Sequence, residues 1–80
     1  MNFVKISGGS KPYRQALVDD IIKSTTNSYI KFDNPTLAQV QHAVNYYSGK
    51  ATVIFVDPEL GVEDWLIGSN VSASVVLVKQ

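Results

Sequence analysis

Two short stretches constrain this chain more than anything else in it. Val53-Ile54-Phe55-Val56 and Val75-Val76-Leu77-Val78 are apolar at every position. Each is far short of the roughly 20 residues a membrane helix needs, and each is rich in the β-branched residues that suit strands. Successive side chains of a strand point to opposite faces, so both runs are apolar on two faces, and Thr52–Val56 has the pattern of a central strand. The chain has 80 residues in which to arrange this and no cysteine to staple the result, so packing alone must hold it.

The remaining elements follow from local signals. Asn2–Ile6 reads as a strand, broken by Ser7-Gly8-Gly9-Ser10. Pro12 opens a helix that runs to about Lys23, with Tyr13, Leu17, Val18, Ile21 and Ile22 on its apolar side and Arg14 inside the same arc, directed towards the loop before it. Thr25-Thr26-Asn27 ends it. Ser28–Phe32 alternates as a half-buried or edge strand. Asn34 as cap and Pro35 at the first position start a second helix, about 35–47, with Leu37, Val40, Ala43, Val44 and Tyr47 on one stripe, and Ser48-Gly49 terminates it. Thr52–Val56 is the central strand, stopped by Asp57-Pro58. Leu60-Gly61-Val62 reads as loop, Trp65–Ile67 as a short strand, Gly68-Ser69-Asn70 as a turn and Ser72–Lys79 as the last strand, the two forming an antiparallel pair.

The expected architecture is a single α+β domain over residues 1–80, with two helices on one face of a four- to five-stranded mixed sheet in the order β-α-β-α-β-(β)-β. Its expected core is Phe3, Val4, Ile6, Leu17, Ile21, Ile30, Phe32, Val40, Val44, Val53, Phe55, Leu66, Val75 and Leu77. Ile54, Val56, Val76 and Val78 then lie on the sheet's second face without a helix over them, and a homodimer is the expected cover.

Charge and composition remove several function classes. Seven basic and seven acidic residues leave no net charge, which does not suit a nucleic-acid or polybasic membrane-surface binder. The aromatic-basic triplet around Lys31 (Tyr29, Phe32) is too isolated to suggest a nucleic-acid platform. Without cysteine there is neither a thiolate nucleophile nor a thiolate metal site. The first residues do not resemble a secretory signal, so cytoplasmic residence is expected, and Asn70-Val71-Ser72 is read as a chance sequon. His42 is the only histidine, with no acid on its helix and no nucleophile elbow among the serines. No catalytic, metal or cofactor site is expected.

Three features remain as candidate binding sites. Gly8, Gly9, Ser10 and Lys11 lie between a strand and a helix N-terminus, with Arg14 close behind, a pattern able to hold a small anion or nucleotide phosphate. It lacks the further glycine and the Lys-Ser/Thr pair of a Walker loop and the third glycine of the dinucleotide motif. Asp57, Glu59, Glu63 and Asp64 concentrate four of the seven acids just before the only tryptophan, Trp65, an acidic-aromatic segment suited to docking on a basic partner. Finally, no charged residue occurs from Asn34 to Gly49, so the outer face of the second helix is neutral, with Gln39, His42 and Tyr46 on it. Interface cores are depleted in charge and enriched in tyrosine. The expected function is that of a non-enzymatic interaction module. Small accessory or inhibitor proteins of phages often have this character. It would bind a partner protein through Gln39, His42, Tyr46, Asp57, Glu59, Glu63, Asp64 and Trp65. The alternative is an anion- or nucleotide-binding domain using Gly8, Gly9, Ser10, Lys11 and Arg14.

Overall fold

The computed structural model describes residues 3–24, 28–69 and 71–80. Strands and helices alternate: β1 (Phe3–Ser7), α1 (Lys11–Ser24), β2 (Tyr29–Asp33), α2 (Leu37–Tyr46), β3 (Thr52–Val56), α3 (Val62–Gly68) and β4 (Ser74–Lys79). The four strands form one sheet in the order β1-β4-β3-β2, with every pair parallel. Helix and sheet combine as expected, but the sheet is not mixed. The physical reason is α3. Where a short strand and turn were expected, Val62 and Leu66, four apart, are both buried, and Glu63 and Asp64 fall in the first turn, where the helix dipole favours acids. A helix between β3 and β4 carries the chain back to the starting end of the sheet, so β4 joins in parallel rather than as a hairpin.

The topology also settles the cover of the second face. From β1 the chain crosses the whole sheet to β2 and then returns through β3 to β4. Crossovers of one hand place helices on opposite faces when the direction of travel reverses. Accordingly α1 packs Val18, Ile21 and Ile22 against Ile6, Ile54, Val56, Val76 and Val78. On the other face, α2 and α3 pack Val40, Ala43, Val44, Val62 and Leu66 against Val53, Phe55, Val75 and Leu77. The expected second apolar face exists, but α1 covers it. The placement of both helices on one face is corrected, and with it the reason given for a homodimer.

Most of the expected core is internal. Val4, on an edge strand, is 51% exposed, and Leu17 is only half-buried while its neighbour Val18 is fully buried. The start of α2 is also corrected. Thr36 is the N-cap, in a reciprocal capping box with Gln39, and Asn34 instead takes a left-handed conformation at φ 53°. Asn2, Thr25-Thr26-Asn27 and Asn70, assigned above to a strand, a helix end and a turn, lie outside the described residues.

One turn geometry recurs where strands β1, β2 and β3 end. Gly8, Asn34 and Asp57 each follow their strand directly, each has positive φ (87°, 53° and 49°), and each donates its N–H to the neighbouring strand: to Lys79, Val56 and Val78 at 3.2, 2.8 and 2.7 Å. Glycine, asparagine and aspartate are the residues that tolerate this backbone region. The turn aims every β-to-α loop outward from one end of the sheet.

Candidate functional site

In an open parallel sheet the loops at the C-terminal ends of the strands, where the winding reverses, are the usual place for a ligand. Here that end gathers the glycine loop, the start of α1 and the acidic segment. Gly8 and Gly9 both have positive φ, and a Cβ on Gly9 would lie 2.6 Å from Cδ2 of Tyr13. Ser10 accepts from the Tyr13 N–H at 3.3 Å through Oγ, which caps the first turn of α1.

Arg14 is 6% exposed. Its guanidinium turns into the fold, where Nη1 donates to the Gly9 carbonyl at 2.8 Å and Nη2 to the Asp57 carboxylate at 3.2 and 3.4 Å. Its position inside the apolar arc of α1 is therefore real, and its charge is matched within the chain. Among the described residues the Nε atom has no hydrogen-bond partner. Lys11, Gln15, Asp33, Asn34 and Asp57 line a cleft of about 280 Å³ at this end, with mixed charge on its rim.

The acidic segment is similarly engaged. Besides the Asp57 pairing, Glu59 accepts from the Leu37 N–H at 2.8 Å through its carboxylate, and its own N–H donates to the Pro35 carbonyl at 3.0 Å. It thus supplies a negative charge to the N-terminus of α2, where the helix dipole favours one. Glu63 bridges Lys5 of β1 and Lys79 of β4, the latter at 3.0 Å. Hydrogen bonds from Lys5 and then Lys79 hold its pKa below the ordinary value of 4.5. Asp64 is exposed, and Trp65 is half-buried against the core under α2 and α3. Three of the four carboxylates thus brace the fold, which sequence spacing alone did not show.

The outer face of α2 differs. Gln39 is held in the capping box, but His42, Asn45 and Tyr46 are exposed. Tyr46 is 54% exposed, yet it is confined on three sides. His42 stacks on it at 5.9 Å between ring centroids, Tyr47 meets it edge-on at 4.8 Å, and Lys50 Nζ lies 4.3 Å from its ring centre. The His42–Tyr46 contact follows from their four-residue spacing on a helix. Tyr47 and Lys50 come from the turn after it, which ends with Gly49 at φ 74° and hydrogen bonds from Lys50 and Ala51 to the Tyr47 carbonyl.

A larger cleft, about 500 Å³, lies at the opposite end of the sheet and was not anticipated. Ser28, Lys50, Thr52, Ser72 and Ser74 are among its lining residues, and Ser48 and Ser72 hydroxyls join across two loops at 2.7 Å. Its lining comes from three separate segments, Ser28, Gly49 to Thr52, and Ser72 with Ser74, which only the fold brings together. Among the described residues no group of three His, Asp or Glu side chains is placed to hold a metal ion, and no helix is long and apolar enough to cross a membrane. Comparison with protein-family models, with curated proteins and with solved structures finds no match.

Proposed function

We propose that this chain is a non-enzymatic interaction module, a small accessory or inhibitor protein of the cytoplasm, that occupies a surface on a partner protein through the outer face of α2. The observation that carries this reading is Tyr46. It is a large aromatic side chain, more than half exposed, on a helix that carries no charged residue of its own, and its neighbours His42, Tyr47 and the Lys50 ammonium restrict its rotation. A side chain ordered before binding loses little entropy when a partner covers it, and tyrosine is among the residues that dominate interface energies. Asp64 and Trp65 belong to α3 on the same side of the sheet and extend the candidate surface. The acids Asp57, Glu59 and Glu63 contribute less to it, because their intramolecular partners compete with any docking role.

An anion held by Gly8, Gly9, Ser10, Lys11 and Arg14 has less support. An incoming phosphate would meet a buried guanidinium whose Nη1 already donates to the Gly9 carbonyl and whose Nη2 already pairs with Asp57.

The test compares proteins captured by the wild type with those captured by the double variant H42A/Y46A, with matched urea midpoints showing that the fold is retained. A partner held by the wild type and lost by the variant supports the α2 face. Identical captured sets overturn it.

A further inference from the structure

Among the described residues β2 forms one edge of the sheet and pairs only with β3. The Ser28 carbonyl accepts from Thr52, and the Asn34 N–H donates to Val56. Backbone groups alternate along a strand, so Ile30 and Phe32, lying between these two, also face β3. The N–H and C=O groups of Tyr29, Lys31 and Asp33 therefore face the free edge. All three of these residues are exposed, the Lys31 side chain less so at 32% than that of Asp33 at 57%. On the opposite face of the same strand Ile30 and Phe32 are only partly buried, whereas their register partners Val53 and Phe55 are fully buried. An open backbone edge beside half-covered apolar side chains is a template for another strand.

The charge pattern of this edge selects its occupant. We propose that two copies of the chain pair antiparallel along β2, in a two-fold register centred on Phe32. Symmetric antiparallel pairings that overlap by at least three residues of β2 and bring outward-facing backbone groups opposite each other centre on Ile30, Lys31 or Phe32. Centring on Lys31 sets two lysines directly opposite, which destabilises a sheet. Centring on Ile30 sets Lys31 opposite Tyr29 and leaves Asp33 with no cation across from it. Centring on Phe32 sets Lys31 of each copy opposite Asp33 of the other. It also sets Phe32 against its symmetry mate, so the Phe32–Phe55 contact of 5.8 Å continues as a row of aromatic rings across the two-fold axis. Lys31 and Asp33 of one chain already lie 3.9 Å apart on one face, so the paired edges form an alternating cluster of charges. β1, the other edge, has no acid in it, and its Lys5 is bound to Glu63. The pairing merges two sheets into one and places both α2 helices on the same face, independently of what α2 binds.

The test is solution mass by light scattering over a wide concentration range, for the wild type, K31E, D33K and K31E/D33K. The expected result is a wild-type mass that rises from one chain to two. Each single reversal should weaken association by roughly tenfold or more, and the double reversal should restore it. A wild type that stays monomeric at every concentration overturns the proposal. So does a dimer indifferent to the single reversals, or a double variant no better than either single one. Amide exchange gives a second readout that needs no variant: the Lys31 and Asp33 amides should gain protection with concentration, and their failure to do so in a dimer sample places the interface elsewhere.

Discussion

Arg14 and Asp57, 43 positions apart in the chain, join α1 to the end of β3 through two hydrogen bonds from one guanidinium nitrogen, at 3.2 and 3.4 Å. The arginine is almost wholly buried, and the aspartate holds a left-handed backbone at φ 49°. The pair fastens the one helix on its face of the sheet to the strand beneath it.

Removing the carboxylate leaves a buried cation without its partner. We expect Asp57→Ala to cost about 3 kcal/mol, the lower part of the range for breaking a buried pair, because the Asp57 side chain is a quarter exposed. Asp57→Asn should cost less, since asparagine keeps an acceptor and tolerates the same backbone region. Urea unfolding with an unchanged m value measures both. A loss for Asp57→Ala below about 1 kcal/mol would mean that water replaces the carboxylate without strain.

Gly9 carries two separate constraints, a φ of 78° and the Tyr13 ring where a Cβ would stand. Gly9→Ala should destabilise by about 2 kcal/mol, roughly half from the left-handed backbone and the rest from the collision. A double-mutant cycle with Tyr13→Ala separates the two. Tyr13→Ala should relieve the collision share and leave the backbone share. Strict additivity in the cycle would show that the ring simply moves aside.

The N-terminus of α2 has two supports, the Thr36–Gln39 capping box and the Glu59 carboxylate on the Leu37 N–H. Thr36→Ala should cost about 1 kcal/mol, the usual loss of a capping hydroxyl. Glu59→Gln should cost less, because an amide oxygen still accepts while the favourable charge at the helix end is gone. Both are read from urea midpoints, and a neutral Thr36→Ala would count against the capping geometry.

Glu63 ties the ion triad to pH. Its pKa is lowered in the folded chain by Lys5 and Lys79, so the folded state favours the ionised carboxylate. That contribution is fully present above the ordinary value of 4.5 and is lost as pH falls below it through the folded value. Stability should therefore decline with acid more steeply in the wild type than in Glu63→Gln, with the two curves running parallel above the ordinary value. Thermal unfolding at a series of acid pH values checks this, and equal slopes would show the triad to be screened by solvent.

Most elements were legible because their signals are local. The apolar runs at Val53–Val56 and Val75–Val78, the Pro12 helix start and the Ser48-Gly49 stop depend on neighbours a few residues away, and each lies where periodicity and turn chemistry place it. The reach of Arg14 towards the loop before α1 was legible for the same reason, since its angle on the helix wheel falls among apolar residues, but its burial and its pairing with Asp57 were not. The seven-residue α3 was not. Its only helical marks are the Val62–Leu66 spacing and two leading acids, too few turns to outweigh a glycine at each end.

That one element decided the architecture. Residue order alone determined that this chain has two strands apolar on both faces and must cover them from both sides. Which helix covers which face was decided by topology: α3 makes β4 parallel, and the reversal of winding after β2 sends α1 to the face that seemed bare. The acidic cluster shows the same division. Its composition is evident in the sequence, but its partners Arg14, Leu37, Lys5 and Lys79 are distant in the chain and meet it only in the fold. Spacing along a chain governs what one helix turn or strand pair can do. Pairing between remote charges depends on how the crossovers return the chain, which only the tertiary structure specifies.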